Sequence, residues 1–543
     1  MFKQNHMRQS LFLLILIIGS CTSKHELALK SFNNNDLAKD LIVLSADSLQ
    51  GRAPFTVGET RTVAYLEKRM KEIGLEPAFD GKFTQGVPMV ELTSHIPDKF
   101  IIQTPKGEIS LKSGDEYTAW CSILQEEIKL NSSEIVFAGF GISAPDKGWD
   151  DFKGIDVKGK TIIVLVNDPD YYSGDTTLFN GKAMTYQGRW RYKFEEAERQ
   201  GAAACFVVHE EGSAGYPWTV SSLRTNKADY NIDDDRLLNP KCLITGWITK
   251  DAAIKLFSSC NMDYETMKGK ASVKGFHSVD MNAKYSIGIN NKWVKSISSN
   301  VAGFIKGSER PDEVIVFCAH WDHLGIGPAV NGDSIYSGAS DNAAAMSWML
   351  SIAKAFKTGK APKRSVLFFS PTAEEAGLLG STYFVDNSPF DMSKTVACIN
   401  NDVILFLGKF KDVTVTGYGH SELDNYIVDE AKKQGRYVCA DPNPENGMFF
   451  RSDQLPFLKA GVPAIFAKGY SEQVELGKEK TQQKIDEYWR TIYHKQCDNF
   501  YPETDNLDGL CEDAKLFYSI GNRLANESSF PKWNKQSEFY VNR

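Results

Sequence analysis

The chain has 543 residues, of which 42% are hydrophobic and 24% charged, as in ordinary globular proteins. This length exceeds one typical domain, so we expect two to four. The formal net charge is −7, and removal of the first twenty residues with Lys3 and Arg8 would leave it near −9. An acidic balance of this kind argues against a nucleic-acid partner, because no excess of basic side chains is available to bind phosphates.

The N-terminus predicts export. Basic residues precede an apolar run at 11–18, which is too short to span a membrane and has the length of a signal-peptide core. Small residues directly before Cys21 resemble a bacterial lipobox, in which residues 1–20 are removed and the cysteine is lipidated. We expect an outer-membrane lipoprotein, facing the periplasm or the cell surface and attached to the lipid membrane through Cys21. A plain secretory signal, which gives a secreted protein, is the alternative. Residues 21–35 would form a polar tether.

Two amphipathic helices are predicted next, at 36–45 and 58–73. In the second, apolar residues recur every three or four positions, and Gly74 supplies a C-terminal stop. The segment between them, 46–52, predicts only a helix end and a turn.

The pattern changes between about 112 and 279. Strand-like runs at 135–141, 161–166 and 202–208 are separated by glycine-rich turns, and 190–200 predicts a helix. A segment with its own strands and helix could fold as a domain. Because it holds no cluster of metal-ligand residues, we predict a non-catalytic inserted domain that acts as a lid or spacer.

After residue 300, strands alternate with helices, which predicts an α/β domain with a mostly parallel, mixed sheet covered by helices. The predicted strands are 300–305, 314–319, 365–369, 395–399, 413–416 and 462–467. The predicted helices are 342–357, 421–434 and 507–526.

Acidic and imidazole side chains follow the ends of several of these strands. They are His320, Asp322 and His323 after one strand, Glu374 and Glu375 after the next, Asp402 after a third, Asp341 before a helix, and Tyr493-His494 near the end of the chain. Open α/β sheets bind ligands beyond the carboxyl ends of their strands. Carboxylates with histidines suit a divalent metal, zinc above all.

Each residue also has an ordinary structural explanation when it is taken alone. Asp341 could cap the helix that follows it. Glu374 and Glu375 could be solvated loop acids, and His494 could be a surface histidine. Their shared position beyond the strand ends favours a common site over these separate explanations.

Together the motifs resemble the co-catalytic di-zinc aminopeptidases of peptidase clan MH, whose relatives include glutamate carboxypeptidases and the transferrin receptor ectodomain. The resemblance covers residues 36 to about 525. Its motifs are Ala46 to Arg52, the His320 to Gly325 stretch, Gly338 to Ala343, Glu374-Glu375, Asn400 to Asp402, Arg451 to Asp453 with Pro456-Phe457, and Tyr493-His494. The segments 139–142 and 156–160 resemble a protease-associated (PA) domain. The resemblance implies a zinc exopeptidase fold at 36–111 and 280–543, with a β-rich, PA-like insertion at 112–279.

The resemblance also implies two Zn²⁺ ions per chain. One would be bound by His320, Asp341 and Asp402, and the other by Asp341, Glu375 and His494. Asp341 would therefore bridge the ions, as two zinc ions about 3.5–4 Å apart require.

Further roles follow from the same resemblance. Glu374 would be the general base and acid, and Tyr493 would stabilise the oxyanion. Asp322 would orient His320, which leaves His323 as a packing or supporting residue. Asp453 is a weak candidate for binding the substrate amine, with a packing or turn role as its alternative.

These roles describe an aminopeptidase that acts on peptides with a free N-terminus. Three alternatives stay open: a zinc carboxypeptidase, a glutaminyl-cyclase-like relative, and an inactive binding protein with a peptidase fold.

Overall fold

The computed structural model describes residues 23–238 and 242–542. The predicted signal peptide and the lipidation residue Cys21 lie outside these ranges, so export and membrane attachment stay predictions. Among the helices of the described ranges, none combines the length and the apolar character that crossing a membrane requires.

The described residues pack around two large hydrophobic cores. One core collects side chains from Ala28 to Phe83 and from Val301 to Ala525, and we call residues 23–83 and 301–542 the main lobe. The other core collects side chains from Ile96 to Ile289, and we call residues 96–289 the insert lobe.

An antiparallel β-ribbon links the lobes. It pairs Thr84–His95 with the second half of the long strand Val279–Ile305. The insertion was predicted to begin at residue 112, but packing against its core begins earlier. Phe100 and Leu111 lie on a hairpin whose inner face is buried in the insert lobe. The PA-like character of this lobe stays a prediction.

The main lobe carries a mixed sheet. Arg310–Cys318 lies between Arg364–Ser370 and Thr395–Asn400, parallel to both, and Ala464–Lys468 continues the parallel set. Val279–Ile305 runs antiparallel at one side. This mostly parallel sheet, flanked by helices, confirms the predicted fold class.

The other main-lobe strands are Glu76–Pro77, Gly325–Val330, Asp333–Tyr336, Asp412–Val415 and Tyr437–Ala440. Its helices are Lys24–Lys30, Asn34–Leu44, Val57–Ile73, Ala344–Thr358, Leu379–Asp386, Leu423–Lys433, Gln454–Lys459, Gly477–Thr491 and Asp508–Asn526.

The strands of the insert lobe continue the main-lobe sheet through the shared strand Val279–Ile305, apart from the separate pair Ser143–Ala144 and Trp149–Asp150. The lobe's strands are Lys99–Thr104, Gly107–Lys112, Tyr117–Cys121, Glu127–Phe137, Ser143–Ala144, Trp149–Asp150, Thr161–Leu165, Ala204–His209, Ala228–Ile232 and Ile244–Thr249. Its helices are Pro169–Ser173, Trp190–Arg199, Glu211–Ala214, Trp218–Ser222, Lys250–Ser259 and Tyr264–Ala271.

Local sequence signals account for the ends of the predicted helices. The Thr56 side chain accepts hydrogen bonds from the first-turn amides of Val57–Ile73. Gly74 ends this helix in the left-handed conformation, at φ 86°, and donates its amide to the Met70 carbonyl. Because glycine adopts that conformation without steric cost, the predicted stop at Gly74 is confirmed.

The helix predicted at 342–357 spans Ala344–Thr358 instead. It begins later because Asp341 and Asn342 have non-helical dihedral angles, with φ −117° and ψ 90° at Asp341. The Asp341 side chain does not cap the helix, since neither this turn nor the helix has a side-chain N-cap. The carboxylate is therefore free to face elsewhere.

Candidate metal centre

The central strand Arg310–Cys318 leads directly into the site. Beyond its end, backbone amides tie the chain to its neighbours: Trp321 donates to the Pro371 carbonyl at 3.0 Å, and His323 to the Arg52 carbonyl at 3.3 Å. Trp321 is fully buried, and His320 and His323 are buried beside it. The strand thus presents two rigidly held imidazoles at the carboxyl edge of the sheet, where α/β sheets bind ligands.

Asp341 lies between two groups of side chains. Its Oδ1 is 3.4 Å from His320 Nε2, which is 3.2 Å from Asp402 Oδ1. Its Oδ2 is 3.2 Å from His494 Nε2, which is 3.1 Å from Glu375 Oε2. The two oxygens of one carboxylate therefore face two different groups, as a bridging ligand would. All five predicted metal ligands are brought together, and their ligand roles stay predictions.

His323 also belongs to this cluster. One set of potential ligand atoms within 4.8 Å of each other comes from His320, Asp341 and Asp402, and the other from His323, Asp341, Glu375 and His494. His323 Nδ1 lies 2.7 Å from Glu375 Oε1, and its buried Nε2 has no hydrogen-bond partner among the described residues. The sequence predicted a packing or supporting residue; the structure places His323 against a predicted ligand.

The electrostatics of the cluster suit a cation. Burial opposes protonation of His494, but Glu375 and Asp341 outweigh it and raise its pKa to about 10. Likewise, Glu374 and Asp402 overcome burial and raise the pKa of His320. The surrounding carboxylates thus stabilise the protonated, positively charged form of both histidines. Because carboxylate oxygens and imidazole nitrogens are ligands that zinc takes, the donor set fits the implied metal.

Glu374 and Glu375 point in different directions. Glu375 contacts His323 and His494, whereas the Glu374 carboxylate makes no hydrogen bond within the described residues. Its Oε2 is 3.9 Å from His320 Nε2, and the residue is 9% exposed. Burial, together with Asp402 and Glu375, raises the pKa of Glu374 well above its usual value. Glu374 is thus a free carboxylate at the edge of the cluster.

Asp322 lies beside His320, where its predicted orienting role stays a prediction, and it also supports the loop that carries both glutamates. Its carboxylate accepts the backbone amides of Glu374 at 3.0 Å and Glu375 at 3.3 Å. Its Oδ1 is 3.7 Å from His320 Nδ1, while its backbone carbonyl lies 3.1 Å from that nitrogen. The carboxylate and the backbone carbonyl of Asp322 both lie near His320 Nδ1, and the carboxylate also holds the loop that carries both glutamates.

Tyr493 stacks on His494, with 3.8 Å between the ring centroids, and packs against Trp489. Burial and the nearby Asp341 and Glu375 raise the pKa of its phenol well above the usual value. The phenol therefore keeps its proton and can donate a hydrogen bond into the site, so its predicted contact with an oxyanion stays a prediction.

Asp453 does not reach the cleft. It is 0% exposed, Ser381 Oγ donates to its Oδ1 at 2.5 Å, and burial raises its pKa to about 7. A side chain without exposed surface cannot contact a substrate amine in this conformation. Of the two predicted alternatives, the structure favours the packing role.

Sequence reasoning missed Arg52, which holds the ligand-bearing loops together. Its guanidinium is fully buried and donates to backbone carbonyls from several segments. The acceptors are Leu44, Trp321, Ser337, Gly338 and Asp341. Burial lowers its pKa to about 10. The signal in the sequence was weak: an arginine at the end of the motif 46–52.

Replacing Arg52 by methionine is expected to lower the free energy of unfolding by several kcal/mol, because each buried carbonyl left unpaired costs about 1–3 kcal/mol. The unfolding midpoint in urea measures the loss. Arg61→Met is the matched control. Arg61 is exposed and, within the described ranges, donates only to the Ser48 carbonyl, so its replacement should change stability by less than about 0.5 kcal/mol. Equal losses of unfolding free energy in the two variants would refute the role of Arg52 in holding the ligand-bearing loops together.

Lys468 was also missed. It ends the strand Ala464–Lys468, is buried, and donates its ammonium to the backbone carbonyls of Asp402 and Val403. Burial lowers its pKa to about 8. The bonds hold the Asp402 backbone, and with it the carboxylate that faces His320. A cation at the end of an otherwise apolar strand was the available signal.

Residues 300–514 match peptidase family M28, and this range contains every predicted ligand. We name residues 300–514 the M28 domain after this match. The match confirms the resemblance to the zinc aminopeptidase family. Arg52 lies outside the matched range, so part of the scaffold that supports the candidate site comes from the segment between the helices Asn34–Leu44 and Val57–Ile73.

Curated relatives match the chain over part of their length. Leucine aminopeptidase 2 of Arthroderma otae is 28% identical over 257 residues, which cover 45% of this chain and 48% of the relative. A probable glutamate carboxypeptidase of Zea mays is 30% identical over 182 residues, 31% of this chain and 24% of the relative. Each match thus spans less than half of the relative.

A solved structure shares the fold. The aminopeptidase from Aneurinibacillus sp. strain AM-1 aligns with a TM-score of 0.52 and 15% identity, over 93% of this chain and 97% of that chain. At this identity the likeness supports the fold of the M28 domain and the insert lobe, not a substrate.

Proposed function

We propose that the chain is a di-zinc aminopeptidase that removes N-terminal residues from peptides. The position of Asp341 carries the proposal: one carboxylate faces His320 with one oxygen and His494 with the other. Bound zinc ions would polarise the scissile carbonyl and lower the pKa of a shared water.

The residues around that position have complementary tasks. Glu374 would take the proton of the attacking water and deliver it to the leaving amine, which needs a carboxylate not occupied by other contacts. The phenol of Tyr493 would donate a hydrogen bond to the developing oxyanion. Asp322 would hold Glu374 in place through its backbone amide. Neither step requires the insert lobe, which we propose as a lid or spacer beside the cleft.

Zinc analysis and blocked substrates test the proposal. The full chain, loaded with zinc and gel-filtered, should retain about two zinc ions, and a chelator should abolish activity until zinc is restored. Leucine p-nitroanilide should be cleaved and its N-acetylated form should not. Cleavage of N-blocked peptides alone would favour the carboxypeptidase. A single bound zinc ion would favour the cyclase-like relative. Zinc binding without any turnover would favour the inactive binding protein.

A further inference from the structure

Three arginines between the lobes have no acidic partner among the residues that the structure describes. Arg189 and Arg191 flank Trp190 at the start of the helix Trp190–Arg199 in the insert lobe, and Arg451 lies in the M28 domain. None of the three forms an ion pair with a carboxylate of the described residues. A neighbouring arginine, Arg224, pairs with Asp229 at 2.5 Å.

The three guanidinium groups are poorly satisfied. Arg189 is 7% exposed and its side chain makes no hydrogen bond within the described part of the chain. The buried Arg451 Nε also lacks a partner, and its Nη2 reaches only the Ala214 carbonyl at 3.3 Å. Burial and the proximity of Arg451 lower the pKa of Arg189 to about 9. Arg189 is buried, and Arg191 and Arg451 are half-buried. Like charges in such positions are costly without partners, and an anion would lower that cost.

Glu195 and Asp229, the two acids that act electrostatically on Arg191, are already engaged. Glu195 accepts from the Tyr186 hydroxyl at 2.6 Å and pairs with Lys459 at 3.0 Å. Asp229 is held by Arg224. Neither carboxylate is therefore available to neutralise Arg189, Arg191 or Arg451, and the partner these arginines lack would come from outside the chain.

The arginines lie next to the proposed reaction centre. The Arg191 guanidinium packs against Gly377, where a Cβ would sit. The Gly377 amide donates to the Glu374 carbonyl at 2.7 Å, so Arg191 contacts the turn that carries the proposed base. Arg451 lies close enough to Tyr493 for that phenol to affect its pKa. The cluster therefore adjoins both groups that would act on the peptide bond.

We propose that Arg189, Arg191 and Arg451 form a subsite that binds a carboxylate of the peptide substrate. The inference rests on the proposed peptidase function and specifies its substrates. Guanidinium groups match carboxylates through paired hydrogen bonds, and the N-terminus of the helix Trp190–Arg199 adds a partial positive charge. The carboxylate would be either the C-terminus of a short peptide or an acidic side chain beside the scissile bond.

Matched substrates separate these two sources. The pair Leu-Ala and Leu-Ala-amide differs only in the C-terminal carboxylate, and the pair Leu-Asp-amide and Leu-Asn-amide only in the side-chain carboxylate. With the zinc-loaded full chain, kcat/KM should favour the carboxylate member of one pair by about 10- to 100-fold, the effect of hydrogen bonds to a charged group. Equal kcat/KM within both pairs would overturn the proposal.

Variants identify the residues that produce the preference. In Arg189→Gln and Arg451→Gln the preference should shrink about tenfold or more. Arg189→Lys keeps the positive charge but cannot form paired hydrogen bonds with a carboxylate, so it should show an intermediate preference. This variant replaces the glutamine variants if they do not fold. Arg224→Gln is the matched control, because Arg224 already has a carboxylate partner, and it should keep the wild-type preference. The same loss in Arg224→Gln would contradict the assignment.

Calorimetry tests the subsite without turnover. N-acetylalanine carries a carboxylate but no free amine. N-acetylalanine amide, in which the carboxylate is replaced by a carboxamide, carries neither group. N-acetylalanine should bind the zinc-loaded wild type at least about tenfold more tightly than it binds Arg189→Gln. Absence of turnover on every peptide with a free N-terminus would refute the proposed function. The difference in N-acetylalanine affinity would still show whether the three arginines bind a carboxylate. Equal affinity of N-acetylalanine for the two proteins would overturn the subsite.

Discussion

Replacing Glu374 by glutamine is expected to lower kcat by about 10²–10⁴-fold while the zinc content stays unchanged. The Glu374 carboxylate makes no hydrogen bond within the described residues and belongs to neither group of potential ligand atoms. Removing its charge therefore removes a proton acceptor and not a ligand. Steady-state kinetics on leucine p-nitroanilide and zinc analysis of the same preparation measure the two quantities.

Glu375→Gln is the matched control, because the two glutamates are adjacent and differ only in direction. Glu375 contacts His494 at 3.1 Å and His323 at 2.7 Å within a group of potential ligand atoms, so its variant should lose zinc. Near-normal turnover of Glu374→Gln would show that another group moves the proton. Loss of zinc in Glu374→Gln would instead make Glu374 a ligand.

Much of the fold and the candidate site follows from local sequence. The apolar run 314–318 predicts a buried strand, and polar residues directly after such a strand must lie at the sheet edge. His320, Glu375 and Asp402 converge for this reason. Asp341 precedes a helix and His494 follows one, so the family resemblance, and not the strand order, placed these two residues in the site. The residue types and the strand order were therefore sufficient for His320, Glu375 and Asp402, and the resemblance supplied the other two predicted ligands.

The remaining features depend on contacts that no periodicity reveals. Arg52 and Lys468 bind backbone carbonyls, and carbonyls are present at every position, so the sequence carries no mark of their partners. The helix Gly477–Thr491 was not predicted, because only a few of its residues are buried and most are charged or polar. The strand Val279–Ile305 crosses both lobes and therefore hides the boundary of the insertion.

Replacing Asp341 by asparagine is expected to have the largest effect on the metal centre. Each oxygen of Asp341 faces a different histidine, so the change removes charge from both groups of ligand atoms at once. We expect bound zinc to fall from about two ions per chain to about one or fewer. Activity should fall by at least about 100-fold, since even the loss of a group that only supports a ligand can cost that much.

Asp498→Asn separates the charge of Asp341 from the shape of its turn. Asp498 accepts the backbone amides of Ser340 and Asp341, each at 3.1 Å, and so supports the turn from behind. Asparagine there keeps one acceptor oxygen, and the variant should retain more zinc and more activity than Asp341→Asn. If Asp341→Asn retained two zinc ions while Asp498→Asn lost them, the turn, and not a bridging carboxylate, would determine metal binding.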